Sequence, residues 1–194
     1  MPVSKVMLWC MILCFIAPVN AQESSWKIDK NHSRINFGIA YFKVGQIQGV
    51  FENYSGTFIE TNTDLSSINI VLKTASINTN QADRDKHLKT VDFFSAEEYP
   101  EIKFISTAIT KIADNTYEIK GDFTMTGITK SIVLKVVDKG SYVHPMFKTT
   151  NKFITVSGVI KREDFNVGTN YAPAKFALSN EVNLIAEIHL TKEK

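Results

Sequence analysis

Apolar and polar residues alternate along most of the chain with a period of two. The alternation is clearest over 35–41, 117–125 and 182–190, where β-branched and aromatic side chains recur at every second position. This pattern is typical of strands that bury one face. Further strands are predicted at 46–51, 56–60, 68–74, 102–109, 131–137 and 153–162. The sequence therefore predicts an all-β protein.

The apolar face of the predicted strands has to be covered. An antiparallel sheet of about eight strands with one apolar face needs a second sheet to cover it, or must close on itself. Closure also removes the exposed sheet edges. We therefore expect a β-barrel, with a two-sheet sandwich as the alternative. Turn-forming clusters at 53–56 and 113–115 separate some of the strands.

Two stretches in the middle of the chain break the alternation. Residues 80–90 contain good helix formers, with Asn80 as a cap and Asp83 three residues later, so a short helix is predicted. A second capping-box match at 95–98 ends before Pro100. We expect this helical insertion to cover one mouth of the barrel. The polar stretches 139–152 and 168–175 are predicted loops.

The first residues have the composition of a secretory signal peptide. Lys5 precedes the apolar run 6–16, and small residues lead up to Ala21. The run is shorter than the ~20 residues that a bilayer crossing needs, so no integral membrane span is expected. We predict a cleaved signal peptide over 1–21, a single domain over 22–194, and export to the periplasm.

Cysteine content and charge exclude several classes of function. Cys10 and Cys14 both lie in the predicted signal peptide, so the remaining domain can form no disulfide and no cysteine-based metal site. The formal net charge is +2, and charges of both signs are mixed along the chain, which does not favour nucleic-acid binding. The four histidines are widely spaced, and we predict no metal site. No cofactor is predicted.

Arg84, Asp85 and His87 bring a cation, a carboxylate and an imidazole together on the predicted helix. They would suit an enzyme that acts on a hydrophobic substrate. Alternatively, they pin the helix to the barrel through charge-assisted hydrogen bonds, which is the interpretation that we favour. His32 and Ser33 are neighbours beside a strand and should point to opposite faces. We therefore predict no catalytic residue.

Several short motifs occur in an order that resembles the YceI-like family. They span nearly the whole predicted domain, at 26–29, 32–33, 35–37, 76–79, 84–88, 92–94, 99–104, 121–130 and 160–165. The resemblance implies an extended, antiparallel, lipocalin-like β-barrel in the periplasm. It also implies that the barrel interior binds a long apolar amphiphile, either a polyisoprenoid or an isoprenoid quinone.

If the resemblance holds, apolar residues on alternating strand positions, together with apolar residues of the helical insertion, line a cavity. These residues are Phe37, Ile39, Phe58, Leu72, Leu88, Phe93, Phe94, Phe104, Phe123, Met125, Leu134, Val156 and Leu184. Arg84, His87 and Lys130 are the candidates for contacts with a ligand head group, with a solvated turn lysine as the alternative for Lys130. For each apolar residue, ordinary core packing is the alternative.

Residues 41–46 replace a histidine and a basic turn that YceI-like proteins often have, which leaves the head-group preference open. A filled barrel that binds a protein through 139–152 is a further alternative. The sequence does not decide between a monomer and a homodimer.

Overall fold

The computed structural model describes residues 21–193, so the predicted signal peptide lies outside the described residues except for Ala21. The described chain forms β-strands, two short α-helices and three single 3₁₀ turns. The strands are β1 (Glu23–Ile28), β2 (Arg34–Tyr41), β3 (Gly45–Phe51), β4 (Tyr54–Thr61), β5 (Asp64–Lys73), β6 (Ile77–Asn78), β7 (Glu101–Ala113), β8 (Thr116–Met125), β9 (Ile128–Val143), β10 (Thr150–Lys161) and β11 (Leu178–Lys192). The helices are α1 (Ala82–Leu88) and α2 (Ala172–Ala177).

The strands form a closed antiparallel barrel. Its hydrogen-bonded order is β1-β4-β5-β7-β8-β9-β10-β11, and β11 returns to β1. These are eight strands, as the alternation predicted, and the prediction of a barrel is confirmed. Closure pairs the first and last strands of the described residues, with Trp26 opposite Lys192.

The barrel is closed at one end and interrupted at the other. A 3₁₀ turn, Lys30–His32, separates β1 from β2, and both strands pair with β11. Strands β3 and β6 extend the sheet beyond β2, and in the described chain β6 pairs with β3 only. Residues 79–100 occupy the chain between β6 and β7. We call the end with the continuous β1–β11 pairing the closed end, and the opposite end the mouth.

Tight turns with left-handed backbone connect several hairpins. The φ angles are positive at Asn62 and Thr63, at Thr126 and Gly127, and at Phe42 and Lys43. Two consecutive residues with positive φ match the right-handed twist of the flanking strands, and such turns favour glycine or asparagine. Phe42 at such a position is therefore unusual.

The side chains inside the barrel fill the closed end. Trp26, Phe58, Ile119, Val136 and Ile188 are almost completely buried there or in the adjoining layer. The space left beside Trp26 and Phe58 has a volume of about 10 Å³, about the room for one water molecule. The barrel is therefore solid at this end and hollow towards the mouth.

The insertion between β6 and β7 contains a helix, as predicted, but its boundaries differ. Gln81 caps α1 through its side chain, which accepts from the amide of Arg84. Asn80 instead adopts a left-handed conformation with φ 61°, so the predicted cap at Asn80 was wrong by one residue. The match at 95–98 forms only a turn, in which the amide of Tyr99 donates to the carbonyl of Ser95.

Two predicted loops were too long. Strands β9 and β10 extend into 139–152 and leave only 144–149 as a connection, because cross-strand pairing continues through polar residues such as Lys152. The stretch 168–175 contains the start of α2, which has Pro173 in its first turn. Strands β1 and β6 were not predicted. No helix within residues 21–193 is both long and apolar enough to cross a bilayer.

Candidate ligand-binding site

A cavity of about 370 Å³ occupies the mouth half of the barrel. Its walls come from β2, β3, β5, β7–β11, the α1 insertion and α2. The lining is mainly apolar, with a few polar groups from the insertion and the loop before α2. This volume lies within the range of small-molecule binding sites. An apolar wall with a few polar groups near the opening suits a ligand with a long apolar part.

Nearly all the residues predicted to line a cavity do so. The lining includes Phe37, Ile39, Leu72, Leu88, Phe93, Phe94, Phe104, Phe123, Met125, Leu134, Val156 and Leu184. Phe58 is the exception, because it lies on β4 opposite Trp26 and is completely buried in the closed end. Alternation gives the face of a residue but not its height along the barrel, so it could not separate Phe58 from the others.

Other lining residues were not predicted. They include Tyr41, Phe51, Ile102, Ile160, Arg162 and Tyr171. Phe51, Ile102 and Ile160 continue the alternation at the ends of predicted strands, so the same signal could have identified them. Tyr171 lies in a connecting segment with no periodic pattern, and only the three-dimensional path of the chain brings it to the cavity. Arg162 ends the predicted strand 153–162 in phase with Ile160, but its charge gave no reason to expect it on an apolar wall.

Arg84 and Asp85 are both fixed by one buried residue, Thr79. The Arg84 guanidinium donates from Nε to the Thr79 hydroxyl, 2.7 Å, and from Nη2 to its carbonyl, 2.8 Å. The Asp85 carboxylate accepts from the Thr79 amide, 2.9 Å, and from its hydroxyl. These bonds hold α1 against β6, the structural role that we favoured for this pair. Arg84 also lines the cavity.

His87 faces the cavity but pairs with Asp92, not with Asp85. Its Nε2 lies 2.9 Å from the Asp92 carboxylate. The ring packs edge-on against Phe93 and Tyr171, with centroid distances of 5.1 and 4.8 Å. The insertion is thereby joined to the loop before α2. Lys130 is exposed and does not line the cavity, so of the three predicted head-group contacts only Arg84 and His87 reach it.

Arg162 is a buried cation at the cavity wall, with 3% of its surface exposed. Its guanidinium donates to the carbonyl oxygens of Ser179 and Val167, at 2.9 and 2.8 Å, and to the Glu163 carboxylate at 3.1 Å. A planar guanidinium can satisfy several acceptors at once. Arg162 therefore fixes the segment between β10 and β11, which forms one side of the mouth.

A second polar cluster joins β1 to β11. The Asp29 Oδ2 atom lies 2.8 Å from His32 Nδ1 and 3.2 Å from His189 Nδ1. The Ser33 hydroxyl donates to the Asp29 carbonyl, and the His189 amide donates to that hydroxyl. His189 Nε2 faces the Tyr142 hydroxyl at 3.2 Å. The cluster is a hydrogen-bond network that stabilises the turn between β1 and β2 against β11. Sequence spacing could not show it, because Asp29 and His189 are far apart in the chain.

The fold and the cavity together define a lipocalin-like β-barrel with an apolar internal cavity. The YceI-like domain model matches residues 26–190. Protein YceI of Escherichia coli O17:K52:H18 is 35% identical over 179 residues, which cover 90% of this chain and 91% of that protein. The chain therefore belongs to the YceI-like family, and the resemblance noted from its motifs is confirmed.

Solved structures share the same fold. Burkholderia cenocepacia BcnA superposes with a TM-score of 0.75 at 20% identity, covering 84% of this chain and 98% of that chain. A polyisoprenoid-binding domain from Saccharophagus degradans superposes with a TM-score of 0.65 at 13% identity, covering 87% of this chain and 98% of that chain. At these identities the similarity establishes the fold alone.

Proposed function

We propose that this protein binds one long apolar amphiphile in its cavity, in the periplasm, and carries or stores it without chemical change. The ligand is a polyisoprenoid or an isoprenoid quinone. The observation that carries the proposal is the apolar cavity of about 370 Å³ in the described chain, which lies beyond the filled closed end of the barrel. The name of the Saccharophagus degradans domain supports the choice of ligand class.

The cavity suggests how such a ligand lies. The apolar tail extends from the mouth towards Phe104, Leu134 and Val156 and ends above the closed end. The head group stays near the mouth, within reach of Arg84 and His87. Burying on the order of 400 Å² of apolar chain gives roughly 10 kcal/mol before the costs of association. Those costs consume a large part of it, so micromolar to nanomolar affinity is expected.

The polar groups at the cavity support binding over catalysis. Arg84 and Asp85 are both bonded to Thr79, and His87 is bonded to Asp92. The Asp85 carboxylate therefore does not pair with the His87 imidazole. Each group instead stabilises the insertion that covers the mouth.

The test is to express the full chain in a bacterial host, isolate the periplasmic fraction and extract the purified protein for mass spectrometry. We expect close to one isoprenoid lipid per protein and an N-terminus at Gln22. Protein stripped of lipid should take up an octaprenyl quinone from detergent micelles. Recovery of no lipid together with no uptake would refute the proposal, and an uncleaved N-terminus would refute the predicted export.

A further inference from the structure

Large apolar side chains project into solvent beside the mouth. Phe42 and Val44, at the tip of the β2–β3 hairpin, are 55% and 94% exposed, and Phe176 of α2 is 83% exposed. The two segments are in contact, because the Phe42 amide donates to the Ala177 carbonyl over 2.7 Å. We call Phe42, Lys43, Val44, Lys175 and Phe176 the rim.

Neither turn geometry nor core packing accounts for Phe42. Its φ is 48° and that of Lys43 is 61°, a region that bulky side chains rarely adopt. In the β8–β9 turn the first residue with positive φ is the small Thr126 and the second is Gly127, so that turn carries no aromatic side chain. An aromatic residue at the tip therefore lowers stability and gains little burial in return. Strained positions of this kind point to a functional constraint.

The rim is continuous with the apolar wall of the cavity. Tyr41, which precedes Phe42, lines the cavity and is 41% exposed. Ala177 and Leu178, which follow Phe176, also line it. An apolar surface thus extends from the interior, past the mouth, to the outside of the barrel.

Exposed lysines lie directly beside the exposed aromatic residues. Lys43 follows Phe42, and Lys175 precedes Phe176. Aromatic side chains that enter the boundary of a bilayer, next to lysines that reach the phosphate groups, are the usual composition of an interfacial membrane anchor. The positive charges of the rim complement an anionic lipid surface.

We propose that the rim docks on an anionic phospholipid bilayer and turns the mouth towards the membrane. This inference rests on the proposed function, since docking would let an apolar ligand pass between bilayer and cavity without crossing water. Phe42 and Phe176 insert among the acyl chains near the head groups, and Lys43 and Lys175 contact phosphate. Contact is reversible because the inserted surface is small.

The experiment is flotation of the mature protein with vesicles of phosphatidylethanolamine and phosphatidylglycerol, compared with vesicles of phosphatidylcholine alone. We expect binding to the anionic vesicles and much weaker binding to the neutral ones. The F42S/F176S variant should lose binding by at least about tenfold, because each phenylalanine loses its transfer free energy. The K43S/K175S variant should bind both kinds of vesicle equally weakly.

F147S is the matched control. Phe147 is 69% exposed, but it lies in the 144–149 connection next to the β10 residues that pair with the end of β11, at the closed end. Its replacement should leave flotation unchanged. Equal loss in F147S, or unchanged binding in F42S/F176S, would overturn the proposal.

Two further measurements separate the possible failures. Uptake of an octaprenyl quinone from micelles reports the proposed function without any bilayer, and F42S/F176S should retain it. If wild-type protein floats with vesicles but takes up no lipid, docking of the rim on the bilayer is supported and the proposed function is refuted. If F42S/F176S changes the oligomeric state measured by sedimentation but leaves vesicle binding unchanged, a second copy of the protein covers the rim and the docking proposal is wrong.

Discussion

The indole nitrogen of Trp26 donates to the Glu60 carboxylate over 2.9 Å inside the barrel wall. The same carboxylate accepts from Lys152, which also bonds Asp138 at 2.8 Å. Burial alone would lower the pKa of Lys152, but the hydrogen bonds and charges of Asp138 and Glu60 outweigh it and hold the pKa above its usual value. This network ties β4, β9 and β10 together around Trp26.

Lys152→Met should destabilise the protein by about 3 kcal/mol, because it leaves the Glu60 charge buried without its cation. Urea denaturation followed by circular dichroism measures the effect. Lys111→Met is the control, since the Lys111–Asp64 pair is half exposed and exposed pairs contribute little to stability. The double variant E60Q/K152M should recover part of the loss. No difference between the two lysine variants would contradict the buried network.

Val156 and Val159 lie on the same strand but differ in environment. Val156 is 7% exposed and lines the cavity, whereas Val159 is 51% exposed. Val156→Trp should fill part of the cavity and weaken binding of an octaprenyl quinone by about tenfold or more, since a shorter length of tail is buried. Val159→Trp should bind as the wild type does. Quinone uptake from micelles measures binding in both variants, and thermal melting checks that both are folded. Equal uptake by the two variants would contradict the position of Val156 in the binding cavity.

The sequence predicted the features of this fold that have a local cause. Alternation located most strands, and the break at 80–90 located the insertion that covers the mouth. Because the alternating residues of a barrel share one interior, the same signal also identified the apolar wall from Phe37 to Leu184.

Alternation could not predict features that depend on contacts between distant parts of the chain. Phe58 and Phe104 have the same pattern, yet one lies in the filled end and the other in the cavity. Asp29 meets His189 because the barrel closes. This contact does not follow from periodicity.

Asp29 should make stability depend on pH in the acid range. Burial raises the pKa of its carboxyl, but hydrogen bonds from the His32 ring, the Asn31 amide and the His189 ring outweigh this and hold the pKa below its usual value. A lowered pKa in the folded state stabilises the protein above the pKa of the unfolded chain, and the contribution is lost as the pH falls through the folded value.

The free energy of unfolding should therefore fall more steeply in the wild type than in Asp29→Asn as the pH is lowered from about 5 towards 2. Asparagine keeps an oxygen that can accept from the Asn31 amide, so the 3₁₀ turn should survive. Asp114→Asn, on the exposed turn between β7 and β8, serves as the control. If the free energy of unfolding depends on pH in the same way in the wild type and in D29N, the pKa of the Asp29 carboxyl is not lowered in the folded protein.

Gly121 gives Phe104 the room to lie flat against β8. A Cβ at residue 121 would come within 2.5 Å of the Phe104 ring and 2.6 Å of the Ile105 carbonyl oxygen. Gly121→Ala must therefore displace the ring or the backbone of β7, and we expect a loss of about 1–3 kcal/mol of stability. At Gly45 the nearest atom would be 3.6 Å away, so Gly45→Ala should have little effect.

Since Phe104 also lines the cavity, a ring pushed inwards would reduce quinone binding in G121A but not in G45A. Urea denaturation and micelle uptake measure the two effects separately, and stability equal to that of G45A would show that the β7–β8 contact is looser than described.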